Sequence, residues 1–213
     1  DALAQEHGIP LIIDNAYGMP FPNIIYSDVT LNWHENIILC FSLSKVGLPG
    51  VRTGIIVAAP EVVKAVSSLN AIVNLSPTRF GAAIATPLLQ DGRLKQLSDD
   101  VIRPFYRNQA QTAVSLLKRE LGAYPLKIHK PEGAIFLWLW FENLPVSSQT
   151  LYEMLKAEGT LIIPGEHFFV GIETQDYPHS RECIRMSIAQ DAETLEKGIA
   201  AIGRVVRGLY DAA

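Results

Sequence analysis

The stretch Ile37-Ile-Leu-Cys-Phe-Ser-Leu-Ser-Lys45-Val-Gly-Leu-Pro-Gly-Val-Arg52-Thr-Gly54 decides the reading of the fold. It opens on a short apolar run and breaks at once into hydroxyls, a lysine and glycines. A run with no polar alternation reads as a strand buried on both faces, as in a parallel or mixed sheet covered by helices. Residues 10–13 and 54–58 have the same texture, and Asp14 follows directly on the first of them. In open α/β sheets the ligand crevice lies beyond the carboxyl ends of the strands. Asp14 and residues 42–45 are therefore predicted at one place. Position alone leaves two readings open: a plain Asp–Lys ion pair or turn cap, and a chemical site.

Working outward, helical periodicity runs over residues 61–72 and 79–90. A long amphipathic stretch follows over 93–121, its stripe made by Val101, Ile102, Phe105, Val114, Leu117 and Leu121, with Pro104 expected to kink or break it. Beyond Gly122 the text predicts strands at 126–129 and 134–141 and a helix over 147–158, capped by Ser147 or Ser148 and stopped by Gly159. Strands at 161–163 and 183–189 and a helix from about Asp191 complete it. This second half reads as a smaller α+β unit. The boundary is set in the long helix, giving 1–104 and 105–213. At the other end, His7, Gly8 and Pro10 carry the signals of a helix stop with hardly any helix before it. The expectation is that sequence precedes Asp1; a short N-terminal helix is the alternative.

Composition narrows the classes. The 213 residues are 48% hydrophobic with a net charge of −4, which leaves no electrostatic footprint for nucleic acid or an acidic membrane. The longest apolar run, 134–141, is far short of the roughly 20 residues a membrane helix needs, and no leader pattern opens the chain. Cys40 and Cys183 make no disulfide framework, which fits a reducing, cytoplasmic setting. The five histidines fall in no ligand spacing, so no metal is assigned.

The residues after the second strand have the parts of a phosphate cup. Gly47, Gly50 and Gly54 let backbone N–H groups approach an anion, and Ser42, Ser44 and the fork of Arg52 complete it. Neither G-x-x-x-x-G-K-[ST] nor G-x-G-x-x-G occurs. What stands beside the cup is Lys45, and a lysine close to a bound phosphate suits Schiff-base chemistry with an aldehyde or ketone.

The composite S-x-S-K-x-G-x-P-G-x-R-x-G, preceded by a strand ending D-x-A-Y, resembles the fold-type I pyridoxal-phosphate-dependent aminotransferases. Segments 9–25, 42–56, 130–141 and 161–171 are similar to the subgroup that exchanges amino groups between valine or alanine and a 2-oxo acid such as pyruvate. The resemblance implies the α/β fold of pyridoxal-phosphate transferases (aspartate aminotransferase-like), with residues 1–104 as the later part of the large cofactor domain and 105–213 as the small domain. It implies pyridoxal 5′-phosphate as cofactor, with Lys45 joined to its aldehyde and shuttling the substrate α-proton in ping-pong half-reactions. Asp14 would hold the pyridine nitrogen protonated, Tyr17 would bond the ring's phenolic oxygen, and Ser42, Ser44 and Arg52 would hold the phosphate. Ser44 fits less well, because alternate residues of an extended segment face opposite ways. Arg185 in CIRMSIA, with Ser187 beyond it, falls where the family keeps its arginine for the substrate α-carboxylate. A surface arginine on an edge strand is the plain alternative. The family is usually homodimeric, so this chain alone is expected neither to bind cofactor tightly nor to turn over. The spacing from Lys45 to Arg52 is one residue shorter than in many members, which marks a subgroup. The family's glycine loop, its Asn facing the ring and a substrate-closing segment belong upstream of Asp1.

Other features read as structural. Phe136, Trp138, Trp140 and Phe141 alternate and are expected mostly in the core, with a residue or two left to line a pocket. Gly133 reads as a turn glycine, and His167 sits in a loop to which no role is assigned. Two other functions fit the same residues: a β-lyase on the same scaffold, and the aminotransferase-like sensing domain of a transcription regulator.

Overall fold

In the computed structural model, which describes residues 1–173 and 176–213, the early apolar runs form β1 (Leu11–Asp14), β2 (Ile37–Ser42) and β3 (Gly54–Val57). They make one mixed sheet in the order β1-β2-β3. β1 and β2 run parallel with Asp14 opposite Cys40, and β3 returns antiparallel with Ser42 opposite Gly54. Two parallel neighbours end side by side, so their carboxyl-terminal residues emerge on one edge.

The expectation of burial on both faces is corrected. Ile12 is 65% exposed, and Ile56 and Val57 are 41% exposed. The cause is incomplete cover. Helix α2 (Pro60–Val73) buries none of its residues, and an open groove of about 910 Å³ lined by Ile56, Val63 and Val66 lies between it and β3. Burial in this unit centres instead on Phe21, Leu43, Val46, Ala85 and Leu94, with α3 (Phe80–Gln90) and α4 (Arg93–Leu97) supplying the last two. At the start of the chain a short helix α1 (Ala2–Glu6) does end at His7, with Gly8 at φ +61°.

A second correction concerns residues 93–121. The irregularity expected at Pro104 lies earlier: a π-helical turn at Ser98–Ile102 separates α4 from α5 (Arg103–Leu121). The N–H of Arg103 reaches back to the carbonyl of Ser98, and the buried Ser98 hydroxyl donates to the Leu94 carbonyl at 2.9 Å. Pro104 has no N–H to give the ladder, and it sits in the first turn of α5, where that loss is tolerated. The irregularity therefore falls before the proline. The chain divides into two compact units, Asp1–Phe105 and Tyr106–Ala213.

The second unit is built on an antiparallel sheet in the order β4-β5-β7-β6, from β4 (Leu126–Ile128), β5 (Phe136–Phe141), β6 (Ile163–Pro164) and β7 (Cys183–Ser187). β5 starts two residues later than expected because Ala134 has φ +65°, which no strand residue adopts. β6 is two residues long and ends in a proline, as an edge strand can. Helices α6 (Ser148–Ala157) and α7 (Ala192–Asp211) complete the unit, their first turns capped by Ser147 and Asp191. Leu137, Leu139 and Phe141 of β5 are buried together with Ile184 and Met186 of β7, Leu151 and Leu155 of α6, and Ile199, Ile202 and Val206 of α7. Phe136, Trp138 and Trp140 alternate onto the opposite face and are only half-buried, so of the four aromatics just Phe141 belongs to the core. Among the described residues no helix is long and apolar enough to cross a membrane.

Candidate active site

Asp14 closes β1, and Lys45 comes three residues past the end of β2. The loop that carries the lysine is fastened at both sides of it. The N–H of Leu43 donates to the Thr53 carbonyl at 3.1 Å, and the N–H groups of Val46 and Leu48 donate back to the Leu43 carbonyl at 3.3 and 3.2 Å. Leu43 and Val46 are buried, and Gly47 leaves the turn at φ +98°, a conformation side chains resist. Lys45 thus stands on a 3-10 turn (Ser44–Val46) between two buried anchors. Its ammonium lies 5.4 Å from the centroid of the Tyr17 ring. It forms no ion pair with Asp14: one Asp14 oxygen accepts from the N–H of Ala16 at 3.1 Å, a turn cap, and the carboxylate is otherwise exposed. Of the two plain readings, capping is present and pairing is not.

Tyr17 is held by residues the sequence reading passed over. Asn15 is buried and its side-chain amide donates to the Met19 carbonyl at 2.5 Å. A Cβ on Gly18 would fall 2.0 Å from the Asn15 side-chain oxygen, so a larger residue there would displace the Asn15 amide. The loop closes where the N–H of Ile24 donates to the Tyr17 carbonyl at 2.9 Å. Asn23, at φ +56°, then ties it to the π turn: its amide donates to Asp99 at 2.7 Å, and its oxygen accepts from Arg103 at 2.9 Å. The hydrogen bond from Lys95 chiefly, with that of Asn23, holds the Asp99 carboxyl below its ordinary range. Sequence offered only an Asn after two prolines as a signal; its partners lie about 80 residues away.

Ser42, Ser44 and Arg52 share the Lys45 loop. The N–H of Ser44 donates to the Ser42 hydroxyl at 3.2 Å, and Ser44 begins the 3-10 turn. The segment is not extended, so the alternation argument against Ser44 does not apply. Arg52 is exposed, with a left-handed backbone (φ +48°, ψ +47°) and its guanidinium 3.4 Å from the Pro49 carbonyl. Gly81 packs behind this loop, where a Cβ would fall 1.9 Å from the Thr53 hydroxyl.

Arg185 belongs to the other unit. β7 lies between β5 and β6, so Arg185 is not on an edge strand. Ile184 and Met186 turn into the core, and Arg185 shares the opposite face with the half-buried aromatics. Its guanidinium carbon lies 4.2 Å from the Phe136 ring centroid and 4.9 Å from that of Phe168. Its Nε is buried without a hydrogen-bond partner. Ser187, two residues on, accepts from the N–H of Ala189.

The family model for class I and II aminotransferases matches residues 1–202. A valine–pyruvate aminotransferase of Escherichia coli (strain K12) is 47% identical over 199 residues, covering 93% of this chain and 48% of that protein. The crystal structure of valine-pyruvate aminotransferase from Salmonella typhimurium LT2 is 43% identical with a TM-score of 0.92, covering 100% of this chain and 55% of that one. A crystal structure from Psychrobacter arcticum 273-4 is 67% identical with a TM-score of 0.95, over 100% of this chain and 48% of that one. The chain spans about half the length of the relatives it matches.

Proposed function

The chain belongs to the class I and II aminotransferases, and on that premise we propose that the full-length protein is a pyridoxal-phosphate-dependent transaminase exchanging amino groups between valine or alanine and a 2-oxo acid. The observation that carries this reading is the Lys45 amine over Tyr17, with the Asp14 carboxylate at the end of the adjacent parallel strand. The named function of the Escherichia coli and Salmonella relatives supports the substrate pair. In this reading residues 1–104 are the later part of the cofactor domain, residues 105–213 are the small domain, and the enzyme is a cytoplasmic homodimer.

The donor set fits pyridoxal phosphate. Asp14 has an oxygen not used by its turn cap, Lys45 has an amine with no acidic partner among the described residues, and Tyr17 offers a phenol. Ser42, Ser44 and Arg52 supply hydroxyls and a guanidinium for the phosphate. When bound, the cofactor supplies an aldehyde that captures amines and a ring that withdraws electrons from the α-carbon. Asp14 keeps a proton on the ring nitrogen, which preserves that withdrawal. Tyr17 donates to the ring oxygen. Lys45 takes the substrate α-proton at Nζ and returns it, the role of a general base and acid. Arg185 binds the α-carboxylate through its outer N–H groups. Two half-reactions alternate on one site, so the kinetics are ping-pong.

The test is a donor and acceptor screen of the full-length protein with pyridoxal phosphate. Valine or alanine with the complementary 2-oxo acid should give parallel double-reciprocal lines and no net ammonia. Release of ammonia and pyruvate without transfer would replace the transaminase with a lyase.

A further inference from the structure

We propose that Phe136 and Phe168 form an aromatic clamp that presents Arg185 as a preset receptor for the substrate carboxylate, with Phe168 delivered by a rigid strut at Gly165–Phe168. The proposal rests on the assignment of Arg185 above and adds the residues that position it.

Among the described residues the Arg185 side chain makes no ion pair and no hydrogen bond, and rings are what hold its guanidinium; its Nε is buried without an acceptor. An acidic neighbour would hold the side chain more tightly, but it would compete with a carboxylate ligand for the same N–H groups. Aromatic faces attract the cation and accept none of its in-plane hydrogen bonds. They fix the plane of the fork and leave its outer edge for a ligand. A flexible arginine would lose that ordering entropy at every binding event, whereas a clamped one has already lost it.

The strut that brings Phe168 to Arg185 is fastened at each step. β6 pairs with β7 so that Ile163 stands opposite Arg185. A Cβ on Gly165 would lie 2.6 Å from the Cys183 carbonyl and 2.8 Å from the Ser180 carbonyl, so the glycine lets the turn lie directly on β7. Glu166 is anchored at the start of α6, accepting from the Ser148 hydroxyl and the Gln149 N–H, both at 3.3 Å. Phe168 meets Trp138 edge-on at 5.2 Å, and Phe169 continues the row against Trp138 and His179. Trp138 sits directly opposite Arg185 in the β5–β7 pairing. Phe168 is therefore a positioning residue, acting on substrate through Arg185.

The experiment measures binding of isovalerate, a monocarboxylate with no amino group, to the full-length enzyme by calorimetry, beside KM and kcat for valine. Phe168→Leu keeps an apolar side chain without a π face; it should weaken isovalerate about three- to tenfold and raise KM for valine similarly with kcat within about twofold, as expected for loss of a partly buried cation–π contact. Phe168→Tyr restores the ring and should bind within about twofold of the parent. If Phe168→Leu does not fold, Phe136→Leu removes the other ring and should show the same split. Parent-like isovalerate binding in the folded leucine variant, with binding lost in Arg185→Gln, overturns the clamp and leaves the Arg185 assignment standing. Parent-like binding in Arg185→Gln overturns that assignment and the clamp with it.

Discussion

The ammonium of Lys45 lies over the ring of Tyr17, 5.4 Å from its centroid. The tyrosine therefore offers two separable things: a π face to the lysine and a hydroxyl to whatever binds beside it. Tyr17→Phe keeps the first and removes the second. In the full-length enzyme with pyridoxal phosphate, it should shift the pH midpoint of the cofactor's visible absorbance while Lys45 stays ordered. Tyr17→Leu removes both the ring and the hydroxyl and should show the same shift. Spectrophotometric titration of both variants checks this, and an unmoved midpoint in Tyr17→Phe counts against the hydroxyl contact.

Lys45 is expected to be irreplaceable by another cation. An arginine preserves the charge but does not release its proton, so it serves neither as the amine nor as the base. Both Lys45→Ala and Lys45→Arg should move the holoenzyme's visible absorbance to that of the free cofactor aldehyde and lower transfer by about 10²–10⁴-fold or more. Absorbance and single-turnover rates decide it. A visible band that survives unchanged in Lys45→Ala would remove the lysine from this role.

Part of the fold and of the candidate site is legible in the sequence, and the limits have physical causes. Asp14 and the segment from Ser42 to Lys45 were readable because each directly follows an apolar run, and strand ends in an α/β sheet define a place. Asn15 and Asn23 were not, because what matters about them is what their amides bond, and the Asp99 and Arg103 partners of Asn23 are remote in sequence. The π turn was hidden for a related reason. An amphipathic stripe survives a one-residue change in winding, so periodicity ran straight through residues 98–102 and put the break at Pro104. The aromatic alternation of β5 showed that two faces exist but not which one is buried; the sheet order, with β7 interior, decides that. Apolar runs report what a strand needs, not what covers it: within the described residues Ile12, Ile56 and Val57 stay exposed while β2 is buried or half-buried.

The Lys45 turn should depend on the buried side chain of Leu43. Leu43 is 0% exposed and accepts two loop N–H groups on its carbonyl. Leu43→Ala opens a cavity against Phe21 and Leu94 and should cost about 2–5 kcal/mol, the range for large-to-small core changes. Denaturant unfolding of the full-length protein measures this. A loss under about 1 kcal/mol would show that the backbone bonds alone hold the turn.

The tie between Asn23 and the π turn carries a pH signature. Lys95 and Asn23 hold the Asp99 carboxyl below its ordinary range. A depressed carboxylate contributes stability that is complete above its unfolded pKa and is lost as pH falls through the folded one. Asp99→Asn should therefore be less stable than the parent at pH 7, by up to about 1 kcal/mol for so exposed a pair. The two should converge as the pH drops below the usual carboxylate range. Thermal unfolding at pH 7 and pH 3 tests the sign, and a gap that widens in acid refutes it.

Cys183 should be the inert thiol of the pair. It lies in β7 with no exposed surface, and burial pushes its thiol up to about 12 despite a His179 ring nitrogen 3.5 Å away. At pH 8 the thiolate fraction is then about one part in ten thousand, and access is closed as well. Cys40 is half-buried in β2. Iodoacetamide at pH 8 should leave Cys183 unmodified in the native protein while labelling it fully in guanidinium chloride, as read by peptide mass spectrometry. Since Gly165 lies directly on the Cys183 backbone, the rate at which Cys183 becomes labelled also reports opening of the strut that carries Phe168. Gly165→Ala should raise that rate, because the added methyl group must push the turn off β7. Equal rates in the two proteins would mean that the turn absorbs the methyl group without lifting from the strand.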